Sequence, residues 1–165
     1  MNDDYRTLFA FNCWANDKML NACRQLTPDQ YESEPVPGWT SVRFTVYHLT
    51  IVTDGWLRAL IADPDESFPT EEEVATVDAA AAILDRAYQT LDTLLPKLTP
   101  ELLSTPKTFQ RRGRSASLPP WVVLRHVVNH TTYHRGQVAS KLKQFGIQQP
   151  ETDLVYYALE NLPQE

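Results

Sequence analysis

Two histidines, His130 and His134, lie four residues apart in the segment NHTTYHRGQ, which covers residues 129–137. Positions i and i+4 of an α-helix share one face, so the two imidazoles of such a pair can bind the same metal ion. A pair of this kind is also common on ordinary polar helices. The residues around the pair therefore decide between a metal site and a polar surface.

The apolar face of the helix predicted around this pair runs through both histidines. Its members follow one another at spacings of three and four residues: Val123, Val127, His130, His134, Val138, Leu142 and Phe145. Helical periodicity therefore directs both imidazoles toward the core. An inward imidazole needs a partner, because an unsatisfied buried polar group costs roughly 1–3 kcal/mol. A divalent cation would satisfy both rings, which favours a metal site over a polar surface.

A third ligand must come from elsewhere in the chain, and His48 is the histidine that lies outside this helix. It precedes the core-facing Leu49 in another predicted helix and stands one turn before Val52. In a helical bundle such a residue can lie opposite the pair. The sequence thus predicts a metal site formed by His48, His130 and His134.

Further residues near the pair are expected to surround the ion rather than to bind it. His126 lies one turn before His130, but three successive turns span about 12 Å and cannot all reach one ion easily. Asn129 and Gln137 either orient the ligands or pack against neighbouring helices, and Tyr133 has the same two interpretations.

Three neutral imidazoles would leave a cation its full charge and one coordination position open. This is the pattern of catalytic zinc, whereas structural zinc is usually held by four protein ligands, with cysteine prominent among them. An ion with an open position can acidify a bound water molecule or thiol. Neither Cys13 nor Cys23 belongs to the histidine cluster, so a purely structural zinc is the less favoured interpretation.

Other residues have both a functional and a structural interpretation. Asp54 is a carboxylate near His48 but does not share its face, so it makes no compelling general base. Gly55 either leaves room for a ligand or allows close helix packing, and packing is favoured. The arginines of QRRGR, residues 110–114, form either an anion-binding lip or a solvated loop, and the loop is favoured. Arg135 is expected off the core face, in a salt bridge or an interface.

The elements that must position these residues are helices, and apolar periodicity predicts four long ones. They cover about residues 5–26, 41–62, from 70 or 76 to 96, and 120–145. TPDQ at residues 27–30 predicts a capped helical turn, and DPDESFP at residues 63–69 ends the second helix. Residues 105–120 form either a hairpin turned by Gly113 or a loop, and ETDLVYYALE at residues 151–160 indicates a short final helix.

The predicted fold is therefore all-α, with a single domain over residues 1–165. It is a four-helix bundle with a long crossover connection and a short extra C-terminal helix. The segment between the third and fourth long helices is long enough for the crossover.

Composition excludes some classes of function. The net charge of −6 argues against a nucleic-acid partner, and no apolar run approaches the length of about 20 residues that a membrane span needs. The polar, acidic N-terminus does not resemble a secretory signal. Cys13 and Cys23 cannot pair locally on one helix and are expected to be reduced, which favours the cytoplasm.

The segments HVVNHTTYHRGQVASKL, YHLTIVTDGWL and FNCWANDKML, with the tail PETDLVYYALE, make the chain resemble the DinB family of helical-bundle proteins. The likeness covers essentially the whole chain, and NHxxxHRGQ is its specific part. The resemblance implies a four-helix bundle with one divalent metal ion on three histidines, which correspond to His48, His130 and His134. It also implies a homodimer and a metal that is zinc or nickel, with iron or manganese as alternatives.

Characterised members of that family use low-molecular-weight thiols such as bacillithiol, mycothiol or glutathione. The resemblance therefore favours a metal-dependent enzyme of the thiol S-transferase kind, acting on a small-molecule substrate. A metal-dependent hydrolase and a non-catalytic, stress-related metal-binding protein are the two alternatives. The first would use a metal-bound water molecule, and the second would use the ion only to stabilise the bundle.

Overall fold

The computed structural model describes residues 2–61, 68–111 and 114–163. Within these ranges the chain forms seven α-helices, a two-stranded sheet and a 3-10 turn at Leu95–Lys97. In chain order the elements are α1 (Asn2–Cys23), α2 (Pro28–Glu32), α3 (Val42–Leu60), α4 (Val77–Leu94), α5 (Pro100–Ser104), β1 (Lys107–Arg111), β2 (Arg114–Leu118), α6 (Pro120–Gln144) and α7 (Leu154–Asn161). The four long helices α1, α3, α4 and α6 are those that the apolar periodicity predicts, and α7 is the short final helix.

The long helices form a bundle in which α3 packs against α4 and α6, and α1 packs against the same two helices. α3 and α6 run antiparallel, because Lys141 meets Ser41 near one end of the pair and His126 meets Trp56 near the other. α3 and α4 run parallel, since their N-terminal halves share one core cluster and their C-terminal halves share another. The predicted four-helix bundle is confirmed.

The long crossover connection joins α3 to α4, because parallel neighbours require the chain to return along the bundle. The described part of this connection follows α3 back toward its N-terminus. The Tyr47 hydroxyl donates a hydrogen bond to the Pro69 carbonyl at 3.2 Å, and Arg43 pairs with Glu71 at 2.7 Å. The sequence had indicated the segment before α6 for this role, but that segment forms α5 and a hairpin instead.

Capping residues explain where the elements begin and end. Thr27 forms both hydrogen bonds of a capping box with Gln30, and Thr76 caps α4. Thr70 forms the same pair of bonds with Glu73, but they close a turn, so α4 begins at Val77 and not near residue 70. Gly146 has a φ of 73°, the left-handed conformation that ends α6.

The hairpin interpretation of residues 105–120 is confirmed. β1 and β2 pair antiparallel, with Lys107 opposite Leu118 at one end and Arg111 opposite Arg114 at the other. Phe109 of β1 is buried and its ring lies 5.5 Å from that of Trp56 on α3. Residues 112–113, including the expected turn at Gly113, lie outside the described residues, as do residues 62–67 with most of DPDESFP. None of the helices described is long and apolar enough to cross a membrane.

Candidate metal centre

A layer of polar side chains crosses the bundle between two apolar core clusters. On α6 the first cluster ends at Val128 and the second begins at Val138, so residues 129–137 lie between them. The face of α6 toward α3 carries the histidines, and the face toward α1 carries Thr131 and Arg135. The layer therefore contains two separate groups of polar side chains.

Three histidines converge in the first group. His48 of α3 and His130 and His134 of α6 each offer a ring nitrogen, and these nitrogens lie within 4.8 Å of one another. The Nε2 atoms of His130 and His134 are 3.1 Å apart. The ring centroid of His48 is 5.1 Å from that of His130 and 4.8 Å from that of His134. All three side chains are half-buried, so each remains partly exposed to solvent.

These spacings fit a single divalent cation. Nitrogens bound to one zinc ion at about 2.0–2.1 Å in tetrahedral geometry are about 3.4 Å apart. The Nε2 atoms of His130 and His134 are near this separation, and the ligand nitrogen of His48 lies within 4.8 Å of both. Among the described residues, no cysteine or carboxylate belongs to the group. Its ligands would be three neutral imidazoles, which leaves a position open for a further ligand.

Apolar neighbours hold the three histidines in place. Val46 and Leu49 are buried beside His48 on α3, and Val127 and Val138 are buried on either side of the pair on α6. His130 and His134 thus replace two members of the core stripe of α6, as its periodicity predicts, and His48 lies beside the stripe of α3. The antiparallel packing of α3 on α6 then brings residues distant in sequence to the same level of the bundle.

Gln137 orients one of the histidines. Its Oε1 atom lies 2.7 Å from Nδ1 of His134. An amide oxygen only accepts hydrogen bonds, so Nδ1 carries the proton and Nε2 is left with its lone pair toward the other histidines. A hydrogen bond of this kind from a neighbouring residue fixes the tautomer and the ring orientation of a metal-binding histidine.

The electrostatic surroundings favour the neutral form of His134. Burial lowers its pKa and the charge of Lys141 lowers it further, whereas the hydrogen bond to Gln137 raises it. Neutral imidazole is the form that binds a cation. The surroundings of His134 therefore suit a metal ligand.

The remaining residues predicted around the site lie in different environments. His126 is half-buried, with its ring 5.4 Å from that of His130 and 5.6 Å from that of Trp56. Tyr133 is 62% exposed and meets the His134 ring edge-on at 5.1 Å. Asn129 is exposed on α6. Gln137 makes a direct hydrogen bond to a member of the three-histidine group.

Asp54 and Gly55 have structural surroundings. The Asp54 carboxylate is buried and pairs with Arg58 Nε at 2.9 Å. A Cβ atom at Gly55 would overlap the ring of Phe68. Gly55 therefore allows close packing, but its neighbour is Phe68 of the connection after α3 and not the second helix that the packing interpretation expects.

Arg135 forms the centre of the second polar group. The prediction that it lies off the core face is wrong. It is 2% exposed, and its Nη1 donates hydrogen bonds to the side-chain oxygens of Asn12 at 3.0 Å and Asn16 at 2.8 Å. Thr131 also donates to Asn12, and Asn16 donates to the Tyr88 hydroxyl. A buried guanidinium with neutral oxygen partners fixes α1 against α6 behind the histidines.

The sequence of α1 carries a signal for this second group. Tyr5, Phe9, Asn12, Asn16, Leu20 and Cys23 are spaced by three and four residues and are all buried on α1. Asn12 and Asn16 interrupt this apolar stripe just as the two histidines interrupt the stripe of α6.

Comparisons with known proteins place the chain in a family. The model of the DinB family matches residues 1–164. Protein DinB of Bacillus subtilis is 25% identical over 168 residues, which cover 95% of either chain.

Solved structures of similar proteins support the fold. A DinB-like protein from Bacillus cereus aligns with a TM-score of 0.64 at 20% identity, over 90% of this chain and 95% of the other. A conserved protein from Enterococcus faecalis aligns with a TM-score of 0.60 at 17% identity, over 85% and 93% of the two chains. The four-helix bundle protein TT2238 aligns with a TM-score of 0.52 at 22% identity, over 88% and 98%.

Proposed function

The chain belongs to the DinB family, and on that premise we propose that it is a metal-dependent enzyme that joins a low-molecular-weight thiol to an electrophilic small molecule. The observation that carries the proposal is the convergence of His48, His130 and His134 without a cysteine or carboxylate among them. Such a ligand set leaves a cation its full charge and an open position. A divalent cation held there would lower the pKa of a thiol that occupied this position.

The surrounding residues favour a thiol over water as the nucleophile. Asp54, the carboxylate that the sequence offers as a base, is already paired with the guanidinium of Arg58. A cation would lower the pKa of bound water as well, but hydrolysis of an ester or amide usually also needs a positioned acid or base for the leaving group, whereas a thiolate bound to the cation attacks without one. We therefore place the thiol S-transferase first and the hydrolase second.

The residues around the site contribute to the reaction by orienting a metal ligand and by keeping it uncharged. Gln137 holds His134 in the tautomer that faces the site, and burial keeps that ring uncharged. In the proposed reaction a carbon–sulfur bond forms while the bond from that carbon to its leaving group breaks. The leaving group departs with the electron pair, and the thiol proton passes to solvent through the exposed side of the half-buried histidines.

The metal that we propose is zinc or nickel, with iron or manganese as alternatives, because imidazole ligands suit several of these ions. We also propose a cytoplasmic homodimer with no nucleic-acid or membrane partner. Cys13 and Cys23 are free thiols, and burial raises the pKa of each to about 12, so both are poor nucleophiles. Unreactive, unpaired cysteines agree with a reducing compartment.

The experiment is a screen of thiols against electrophiles with tag-free protein loaded with zinc or nickel. Each reaction is followed by loss of the electrophile with and without thiol. We expect thiol-dependent turnover by the wild type and none by His130→Ala, even with added metal. Arg125→Ala changes an exposed residue of the same helix and serves as the matched control, with activity unchanged.

Two results would contradict the proposal in different ways. Turnover of an ester or amide without thiol would make the chain a hydrolase. The absence of any turnover by the metal-loaded protein, combined with a large fall in melting temperature on chelation, would make the ion a stabilising element instead.

A further inference from the structure

A cavity of about 320 Å³ lies beside Gln137, on the side of the metal centre toward the C-terminal end of α6. It is lined by Trp39, Thr40, Gln137, Ser140 and Lys141. Its volume is at the lower end of the range of about 300–1,000 Å³ that is typical of small-molecule sites. Its lining residues include one basic residue, Lys141, and no acidic residue. The lining is therefore positively charged, whereas the chain as a whole has a net charge of −6.

The cavity contains a buried cation to which no acidic residue in the described part of the chain is paired. Lys141 is 4% exposed, and its Nζ donates hydrogen bonds to Thr40 Oγ1 at 2.8 Å, to the Ser41 carbonyl at 3.1 Å and to Thr45 Oγ1. All three acceptors are neutral oxygens. Burial lowers the pKa of Lys141 to about 8, with no acidic neighbour acting to raise it. A buried charge without an opposite charge is costly, so an anion in the cavity would stabilise this arrangement.

The cavity also presents hydrogen-bond donors. The Thr40 hydroxyl oxygen accepts from Lys141, and its proton can turn from the long 3.4 Å contact with Thr45 Oγ1 toward an anion in the cavity. For the indole N–H of Trp39 and the amide N–H₂ of Gln137, the described part of the chain supplies no acceptor. The N-terminus of α3 begins beside Thr40, at Val42, and adds the positive end of a 19-residue helix. These groups together suit a carboxylate.

Gln137 connects the cavity to the metal centre, because it lines the cavity and also accepts the hydrogen bond from His134. His134 and Lys141 are seven residues apart, or about 10 Å along the axis of α6. A thiol with two or three carbon atoms between its sulfur atom and a carboxylate has about this length when the metal–sulfur bond at one end and the hydrogen bond at the other are included.

We infer that this cavity binds the carboxylate of an organic acid whose other end reaches the three histidines, and that this acid is the thiol substrate. The inference rests on the proposed function and adds the chemical class of the thiol: a short-chain mercaptocarboxylate or a larger thiol that carries such a group. Lys141 supplies the charge, and Thr40, Trp39 and Gln137 supply the directional donors. The larger groove beside α1, of about 1220 Å³, contains Glu151 and Asp153 as well as Lys18 and Arg135, and does not favour an anion in the same way.

The first test compares two thiols on the cobalt-loaded protein, where sulfur binding gives a charge-transfer absorption band. The thiols are 3-mercaptopropionate and 1-propanethiol, which differ in the carboxylate. We expect the wild type to bind the mercaptocarboxylate about 10-fold more tightly or better, as a charge-assisted contact allows. Lys141→Met should abolish this preference and leave both the cobalt content and the affinity for 1-propanethiol unchanged.

The second test needs no metal and no thiol. Propionate is titrated into metal-free protein while the indole N–H resonance of Trp39, assigned with Trp39→Phe, is followed by NMR. We expect this resonance to shift in the wild type and to stay in place in Lys141→Met. If Lys141→Met does not fold, Thr40→Val replaces it, because Thr40 is exposed and its loss removes one donor; we then expect binding weakened about 3-fold or more.

The two tests separate failure of this inference from failure of the proposed function. If neither thiol gives the absorption band but propionate shifts Trp39, the thiol function is wrong and the anion site stands. If both thiols bind the wild type equally while propionate still shifts Trp39, the carboxylate does not belong to the thiol and the inferred thiol class is wrong. If propionate leaves Trp39 unchanged, the cavity is not an anion site.

Discussion

The side-chain oxygen of Gln137 and the Nδ1 atom of His134 are 2.7 Å apart, and this one hydrogen bond determines which nitrogen of His134 faces the other two histidines. The donor at Nδ1 leaves Nε2 as the ligand atom, 3.1 Å from Nε2 of His130. The residue that sets the geometry of the site therefore lies one helical turn beyond the last ligand.

Replacing Gln137 should weaken metal binding without removing a ligand. Gln137→Leu loses the acceptor for Nδ1–H, so the imidazole is free to rotate and to change tautomer. We expect zinc affinity to fall by about 10–100-fold, measured by competition with a chromophoric chelator. Asn129→Leu, at an exposed position of the same helix, is the control and should keep the wild-type affinity. Equal affinities for the two variants would show that Gln137 does not orient the ligand.

Arg135 should matter for stability rather than for the metal. Arg135→Ala leaves a cavity and removes the donors that satisfy the side-chain oxygens of Asn12 and Asn16. We expect the free energy of unfolding to fall by about 2–4 kcal/mol, measured by urea denaturation of the metal-free protein. Arg125→Ala, on the exposed side of α6, should change it by less than about 0.5 kcal/mol. A similar small change for Arg135→Ala would mean that the second polar group contributes little.

Two glycines on long helices should respond in opposite ways to alanine. A methyl group added at Gly136 would meet open space, so Gly136→Ala should stabilise α6 by about 0.5–1 kcal/mol. Gly55→Ala should give no such gain, because the new methyl group overlaps the Phe68 ring. In a Phe68→Ala background the overlap is gone, and Gly55→Ala should then stabilise as Gly136→Ala does. A gain at Gly55 in the wild-type background would contradict the close contact.

Lys141 should give the protein a distinctive alkaline pH dependence. Burial lowers its pKa from 10.5 to about 8, so between these values the folded chain holds fewer protons at this site than the unfolded chain. The contribution of Lys141 to the free energy of unfolding therefore rises with pH above about 8 and is constant below it. We expect the stability of the wild type relative to Lys141→Met to increase from about pH 7 to pH 10, by urea denaturation. Tyrosines and cysteines titrate in both proteins alike, so a constant difference would mean that Lys141 keeps its ordinary pKa.

The metal ligands could be predicted from sequence because two of them break a regular pattern. His130 and His134 take the places of apolar residues in the stripe of α6, and His48 lies beside a core residue of α3. Periodicity reports which way a helical side chain points, so it assigns His130 and His134 to the interior, and His48 follows as the histidine outside their helix. It also predicted the four long helices, whose ends were set by local signals such as the Thr27 capping box and the glycine at 146.

Features that depend on which helices are neighbours could not be predicted. The buried position of Arg135 follows from the amides that α1 presents to it, and the role of Gly55 follows from a phenylalanine thirteen residues later. Thr70 and Glu73 form the bonds of a capping box around a turn, because the chain there is held along α3 by Arg43 and Tyr47. In each case tertiary contacts, which a single sequence does not reveal, outweigh a correct local signal.

The most direct test of the central claim is the metal content of protein purified without a histidine tag and dialysed with one equivalent of zinc. The wild type should retain about one ion per chain, and His48→Ala should retain much less, because loss of one of three ligands opens the site. His126→Ala, which removes the neighbouring imidazole outside the group, should retain as much as the wild type. Full retention of zinc by His48→Ala would show that the three histidines do not share one cation, and the account would be wrong.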